Sequence, residues 1–114
     1  MSMNPNCAVG ITLEAGNCYL EFCSGRKTCE NKFQNKNSLF VLDNAFYCMD
    51  VGNAIVQVIN DFDMFGETFI TKEQWATVCR VASVYDDETR QILEEINHWV
   101  MHTLDEDTFT ILGV

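Results

Sequence analysis

The clearest pattern of apolar positions lies in the middle of the chain, where hydrophobic residues recur at steps of three and four. Because an α-helix has about 3.6 residues per turn, this spacing places them on one face of a helix. The helix is predicted to begin near Asp43-Asn44 and to end before Gly66. A stripe of this kind typically packs into a core, and a groove for a partner is the alternative. Its members are Tyr47, Val51, Ala54, Ile55, Val58, Ile59 and Phe62.

Two further helices are predicted in the second half of the chain. Thr71–Gln74 has the residues of a capping box, in which a threonine and a glutamine three positions later satisfy the amides at a helix start. This helix is predicted to reach about Val84. Another begins at Asp86 or Asp87, because carboxylates suit the positive end of the helix dipole. The apolar faces consist of Trp75, Val78, Cys79 and Ala82 in one helix and Ile92, Ile96, Trp99, Val100 and Leu104 in the other.

Alternating and short apolar segments predict β-strands towards both ends of the chain. Ala8–Glu14 and Cys18–Cys23 flank a turn that contains glycine, which is typical of a β-hairpin. Leu39–Leu42 is predicted to be a buried strand, and Phe109–Leu112 a last strand docked beside the hairpin. The polar, basic stretch Ser24–Asn37 is predicted to be a solvated loop or a weak extension of the hairpin. The expected fold is α+β: an N-terminal hairpin and a small antiparallel sheet packed against about three helices, with a short C-terminal strand.

Composition is consistent with a single domain over residues 1–114. Of the 114 residues, 47% are apolar and 11% aromatic, which is enough for one hydrophobic core. No run approaches the roughly 18–20 apolar residues that span a bilayer, and no basic or apolar leader opens the chain, so we expect a cytoplasmic protein that binds no membrane. The chain is long enough to fold without disulfides and shows no export signal, which favours free thiols for its six cysteines. The absence of a C-x-x-C pair argues against the usual zinc and redox motifs.

Charge is distributed very unevenly along the chain. Residues 38–114 hold 14 carboxylates and three basic side chains, a formal charge of −11, whereas the first 37 residues sum to +1. A surface this acidic repels nucleic acid and anionic lipid, and it accelerates encounter with a basic partner. The charge pattern therefore predicts a basic protein as partner.

Candidate catalytic residues are few. His98 and His102 stand one turn apart on a helix, with Glu94 one turn before them, so they could bind zinc. The same face could equally be a solvated surface, and the H-E-x-x-H frame of zinc hydrolases is absent. A cysteine close in space to a histidine could act as a nucleophile. Hence one alternative is a small metal- or thiol-dependent enzyme, although we expect no cofactor and no enzymatic activity.

Aromatic and acidic side chains alternate around the connection between the first two helices. Aromatic anchors beside carboxylates are typical of interfaces with basic proteins, but the aromatic residues could equally fill the core while the carboxylates are solvated. The aromatic and apolar members are Phe62, Met64, Phe65 and Phe69. The candidate partner-binding residues are Asp61, Asp63, Phe65, Glu67 and Glu73, together with Asp86, Asp87 and Glu88, whose alternative role is to start a helix.

Three short segments, Phe62–Gly66, Thr71–Trp75 and Phe109–Val114, resemble sequences of small bacterial immunity proteins, which are encoded beside polymorphic or contact-dependent toxins. They cover part of the middle and the end of the chain. The resemblance implies a cytosolic protein that binds and blocks its cognate toxin domain, often a nuclease with a basic groove. The hypothesis is therefore a non-enzymatic inhibitor of a toxin. A further alternative is an acidic adaptor or nucleic-acid mimic.

Overall fold

A computed structural model describes residues 19–43, 50–104 and 106–113. These residues form one four-stranded antiparallel sheet and three α-helices, which confirms the predicted α+β class. Short 3₁₀ turns occur at Cys29–Asn31 and Ala82–Val84. The main elements are β1 (Tyr19–Ser24), β2 (Leu39–Leu42), α1 (Val51–Val58), β3 (Glu67–Thr71), α2 (Lys72–Val81), α3 (Asp87–His102) and β4 (Thr108–Leu112).

The sheet has the strand order β2-β1-β4-β3. The predicted strands at Leu39–Leu42 and at the C-terminal end are confirmed. Strand β1 confirms the strand predicted at Cys18–Cys23. The segment predicted to pair with it as a hairpin, Ala8–Glu14, lies outside the described residues. Within the described sheet, β1 pairs with β2 on one side and with β4 on the other. The last strand therefore lies in the centre of the sheet rather than at its margin.

The three helices pack on one face of the sheet around a cluster of aromatic rings. Phe22 is fully buried, and its ring stacks on Phe109 at 6.0 Å between centroids. The rings of Trp75 and Trp99 meet Phe22 edge-on at 6.4 and 6.3 Å. Such arrangements stabilise aromatic pairs beyond the burial of area alone. The predicted apolar faces of α2 and α3 are thus the faces that form the core.

The helix boundaries follow the local capping chemistry where that chemistry is strong. Thr71 accepts a hydrogen bond from the N–H of Gln74, as the capping box predicts, and Asp86 caps α3. Helix α1 begins after Asp50, whose backbone is left-handed with φ 56°, and ends at Val58, before Gly66 as predicted; Ile59 and Phe62 of the predicted face lie beyond its end. A left-handed residue interrupts a right-handed helix. The predicted segment 44–49, which includes Tyr47, lies outside the described residues.

Strand β3 was not predicted, because the sequence interpretation treated residues 60–70 as a connection. Thr68 and Ile70 are buried, whereas Glu67, Phe69 and Thr71 are exposed. This is the alternation of a strand with one face in the core. Strand β3 forms the end of the sheet beside β4.

The connection from β1 to β2, residues 25–38, lies against the second face of the sheet; we call it the basic loop. A carboxylate anchors it: Glu21 is fully buried and accepts hydrogen bonds from the N–H of Phe33 (2.6 Å), the amide of Asn35 (2.9 Å) and the hydroxyl of Ser38 (2.6 Å). Phe33 has a positive φ of 66°, a costly conformation for a bulky residue. Most side chains of the loop are exposed, as expected of a solvated loop, but the hydrogen bonds to Glu21 hold its backbone in a defined shape.

Candidate protein-binding surface

The turn before β3 is fixed to the sheet at several points. Asp63 accepts a hydrogen bond from the N–H of Phe65 (2.9 Å), and the backbone N–H of Asp63 donates to Thr68 Oγ1 (3.0 Å). On the other side, the N–H of Gly113 donates to the carbonyl of Gly66 (2.8 Å). A Cβ at Gly113 would lie 2.2 Å from the carbonyl oxygen of Met64, so only glycine allows this close packing. The turn is a preformed feature of the fold.

Side chains of this segment point alternately towards the core and towards solvent. Phe62 and Met64 pack against the core, whereas Phe65 is 71% exposed and Phe69 is 41% exposed. Asp61 and Asp63 are exposed as well. The two interpretations of the aromatic residues thus apply to different members: Phe62 and Met64 fill the core, and Phe65 and Phe69 belong to the surface.

The basic loop borders this surface on one side. The backbone N–H of Cys29 donates to Glu67 Oε2 (3.2 Å), and the guanidinium of Arg26 lies 4.8 Å from the centre of the Phe69 ring. These contacts join residues some 40 positions apart, and no local pattern in the sequence predicts them. Glu73 is exposed in the first turn of α2, just beyond the other end of β3. We use the name β3 surface for Asp61, Asp63, Phe65, Glu67, Phe69 and Glu73.

The second predicted acidic cluster has local structural roles. Asp86 accepts a hydrogen bond from the N–H of Thr89 at 2.8 Å, and this bond holds the pKa of the carboxyl below its ordinary value. Asp87 forms an ion pair with Arg90 one turn later. Glu88 is exposed. Helix capping thus accounts for Asp86, and that role does not require a partner.

The histidine face of α3 is open to solvent. His98 and His102 are exposed, with their ring centres 4.4 Å apart. Glu94 lines a groove of about 230 Å³ between α2 and α3, together with Cys79 and Arg90. Among the described residues, no three histidine, cysteine or acidic side chains are arranged to hold a metal ion. The zinc alternative therefore lacks a formed three-ligand site in this part of the chain.

The described cysteines are poor candidates for nucleophiles. Cys23, Cys29 and Cys79 are free thiols. Burial raises the pKa of Cys23 to about 12 and that of Cys79 to about 11. Cys29 is exposed, but a hydrogen bond to the Glu67 side chain raises its pKa too. Because the thiolate is the reactive form, these environments oppose thiol catalysis at neutral pH.

These environments predict an order of alkylation. With iodoacetamide at about pH 8, we expect Cys29 to react first, Cys79 more slowly and Cys23 only after unfolding, because reactivity follows thiolate content and access. Replacing Glu67→Gln should accelerate the reaction of Cys29 several-fold, since it removes a negative charge from beside the thiol. Peptide mass spectrometry resolves each site.

Glu73→Gln is the matched control for this experiment, because Glu73 is an exposed carboxylate at the opposite end of β3. It should leave the rate at Cys29 unchanged. Equal acceleration by both variants would mean that overall charge, rather than the contact with Glu67, controls the thiol.

Comparison with protein families, with curated proteins and with solved structures finds no match to this chain. No helix in the described part of the chain is long and apolar enough to cross a bilayer. The fold and the β3 surface together describe an α+β protein with an acidic, partly aromatic sheet edge.

Proposed function

We propose that this chain is a non-enzymatic inhibitor that binds a basic protein through its β3 surface, in the manner of an immunity protein and its toxin. The observation that carries the proposal is Phe65, 71% exposed at the tip of a fixed turn and accompanied by the exposed carboxylates of Asp61, Asp63 and Glu67. Removing an aromatic side chain from water is favourable, and a partner that buries Phe65 would obtain this stabilisation.

The rigidity of the turn adds to the support. Phe65 is held by the hydrogen bond from its N–H to Asp63, and the packing of Gly113 against Met64 holds the turn to the sheet. Because the backbone of the turn is already fixed, binding does not have to order it, and this lowers the entropic cost of burying Phe65. Exposed aromatic anchors surrounded by polar groups are the usual hot spots of protein interfaces.

Charge supports a basic partner. The net charge is −10, and the segment from Asp61 to Thr71 contains three acidic and no basic residues. Such a surface raises the association rate with a basic protein and penalises acidic competitors. Nucleic acid, which is also an anion, is repelled by the same field.

The resemblance of three short segments to immunity proteins supports a toxin domain as the partner. A nuclease toxin has a basic groove for substrate phosphates, and carboxylates of the inhibitor can occupy that groove or cover it. Inhibition of this kind requires no turnover. Such inhibition needs no reactive thiolate, so it is compatible with the raised pKa values of Cys23 and Cys79.

Partner capture at two salt concentrations tests the proposal. Tagged protein is incubated with a lysate of its source at low and at physiological salt, and bound proteins are identified by mass spectrometry. We expect a basic toxin or nuclease domain that is released by salt and whose purified activity is blocked at a one-to-one ratio. Captured proteins that are acidic, or that stay fully active in the complex, would contradict the inhibitor function.

A further inference from the structure

Strand β3 has one edge paired with β4 and one edge facing outwards. In an antiparallel ladder, alternate residues direct both their N–H and C=O groups to the same neighbour. Two hydrogen bonds show which residues of this segment pair with β4. They run from the N–H of Gly113 to the carbonyl of Gly66 (2.8 Å) and from the N–H of Lys72 to the carbonyl of Asp107 (3.0 Å). Because Gly66 and Lys72 bond to the β4 side, the alternate residues between them, Thr68 and Ile70, also direct their N–H and C=O groups towards β4. The N–H and C=O groups of Glu67 and Phe69 therefore face away from the sheet.

Among the described residues, the outward edge of β3 is uncovered, and its protection against pairing is limited to its short length and to the charge of Glu67. Sheet edges are commonly blocked by proline, by lysine or by a covering segment. β3 contains neither proline nor lysine, and in the strand order of the described residues nothing lies beyond it. At its end, the N–H of Thr71 donates to the Gln74 side chain at 2.9 Å. The open stretch thus comprises Glu67 and Phe69, which can form a short ladder with an added strand.

The side chains beside this edge define what fits it. Asp61, Asp63 and Phe65 precede the open stretch, and Glu73 follows it. Phe69 is 41% exposed within it, and the part of its ring that the Arg26 guanidinium, 4.8 Å from the ring centre, leaves open can contact an apolar cross-strand neighbour. An extended segment with alternating basic and apolar residues would pair its backbone with the edge and place its cations near the carboxylates.

We propose that the partner binds by strand addition, with an extended basic segment pairing antiparallel or parallel to the outer edge of β3. This inference rests on the proposed function for the identity of the partner, but it specifies the mode of contact. The backbone of Glu67 and Phe69 supplies the hydrogen bonds, and the carboxylates of the β3 surface select a basic sequence.

Amide hydrogen exchange measured by NMR tests the inference with a defined probe, an alternating lysine–valine octapeptide. At saturating peptide, we expect exchange of the Glu67 and Phe69 amides to slow by about tenfold or more. Thr68 and Ile70 already pair with β4 and should be little affected. An alternating glutamate–valine octapeptide is the charge control, and a lysine–valine peptide with central prolines is the control for strand formation.

Two variants at one position provide a second readout. Phe69→Pro removes an N–H that faces outwards and spares the ladder with β4, whereas Phe69→Ala removes the ring and keeps the N–H. The proline variant should lose peptide binding at least several-fold more than the alanine variant. Exchange protection of Thr68 and Ile70 in the free variants reports whether the sheet is intact.

The outcomes separate the two proposals. Absence of alternating protection with the basic peptide, or equal protection with the acidic one, would overturn strand addition. A captured toxin that depends on Asp61 and Asp63 but leaves the Phe69 amide exchanging freely would also overturn it, while the inhibitor function would stand. Protection of Glu67 and Phe69 that rises with protein concentration in the absence of peptide would instead identify a second copy of this chain as the occupant.

Discussion

Replacing Asp61, Asp63 and Glu67 with lysine is expected to weaken partner binding by about a thousandfold, or roughly 4 kcal/mol. The three substitutions change the net charge from −10 to −4 and reverse the potential beside Phe65. Each removes an attraction to a basic partner and adds a repulsion. Association should slow, and the dependence of the affinity on salt should become weaker. Surface plasmon resonance at several salt concentrations measures both effects.

The matched control reverses three exposed carboxylates outside the β3 surface: Glu88, Glu94 and Glu106. The control has the same net charge as the first variant, so its long-range attraction for a basic partner is reduced equally. We nevertheless expect it to lose less than about tenfold in affinity. If the control variant lost as much affinity as the first variant, overall charge alone would determine binding. A larger loss of affinity in the control would show that the partner binds at or near α3 instead.

Replacing Glu21→Ala is expected to lower the free energy of unfolding by about 3–5 kcal/mol, a large part of the stability of a protein of this size. The substitution leaves three donors of the basic loop, on Phe33, Asn35 and Ser38, without their acceptor in a buried place. Urea denaturation followed by tryptophan fluorescence measures the loss. Trp99 is a useful reporter, because its indole N–H donates to the Asn37 carbonyl at the end of the loop.

Glu21→Gln is the conservative comparison, since the amide keeps one oxygen acceptor at nearly the same volume. We expect a smaller loss, of about 1–2 kcal/mol. Trypsin should also cut the alanine variant faster at Lys32 and Lys36 if the loop is released. A loss below about 1 kcal/mol for Glu21→Ala, with unchanged proteolysis, would show that other contacts hold the loop.

Features with local causes could be predicted from the sequence. The capping box at Thr71 and the N-cap at Asp86 were predicted because each depends on residues within one helical turn. The apolar faces of α2 and α3 followed from helical periodicity. The five-residue strand β3 was missed even though Thr68 and Ile70 alternate with polar and aromatic neighbours, because a short strand gives a weak signal beside a turn.

Features with distant causes could not be predicted. Tyr19 and Glu21 share one face of β1, and the alternation along a single strand does not show what covers that face. Glu21 is buried because the loop from Phe33 to Ser38 folds back over the sheet. The composition of the β3 surface was partly predicted, through Asp61, Asp63, Phe65 and Glu67. The contact of this surface with Arg26 and the open backbone edge of β3 both depend on the order of strands in the sheet. The periodicity of apolar residues in the sequence does not predict that order.

The central position of β4 has a consequence for the synthesis of the protein. Within the described sheet, strand β3 pairs with β4 alone, and the ring of Phe109 completes the cluster around Phe22. A nascent chain that has not yet reached residue 108 therefore cannot close its core, however long the ribosome pauses. We expect prematurely terminated chains to expose Phe22 and Trp75 and to be degraded, so that only chains that have passed this point accumulate in the cell.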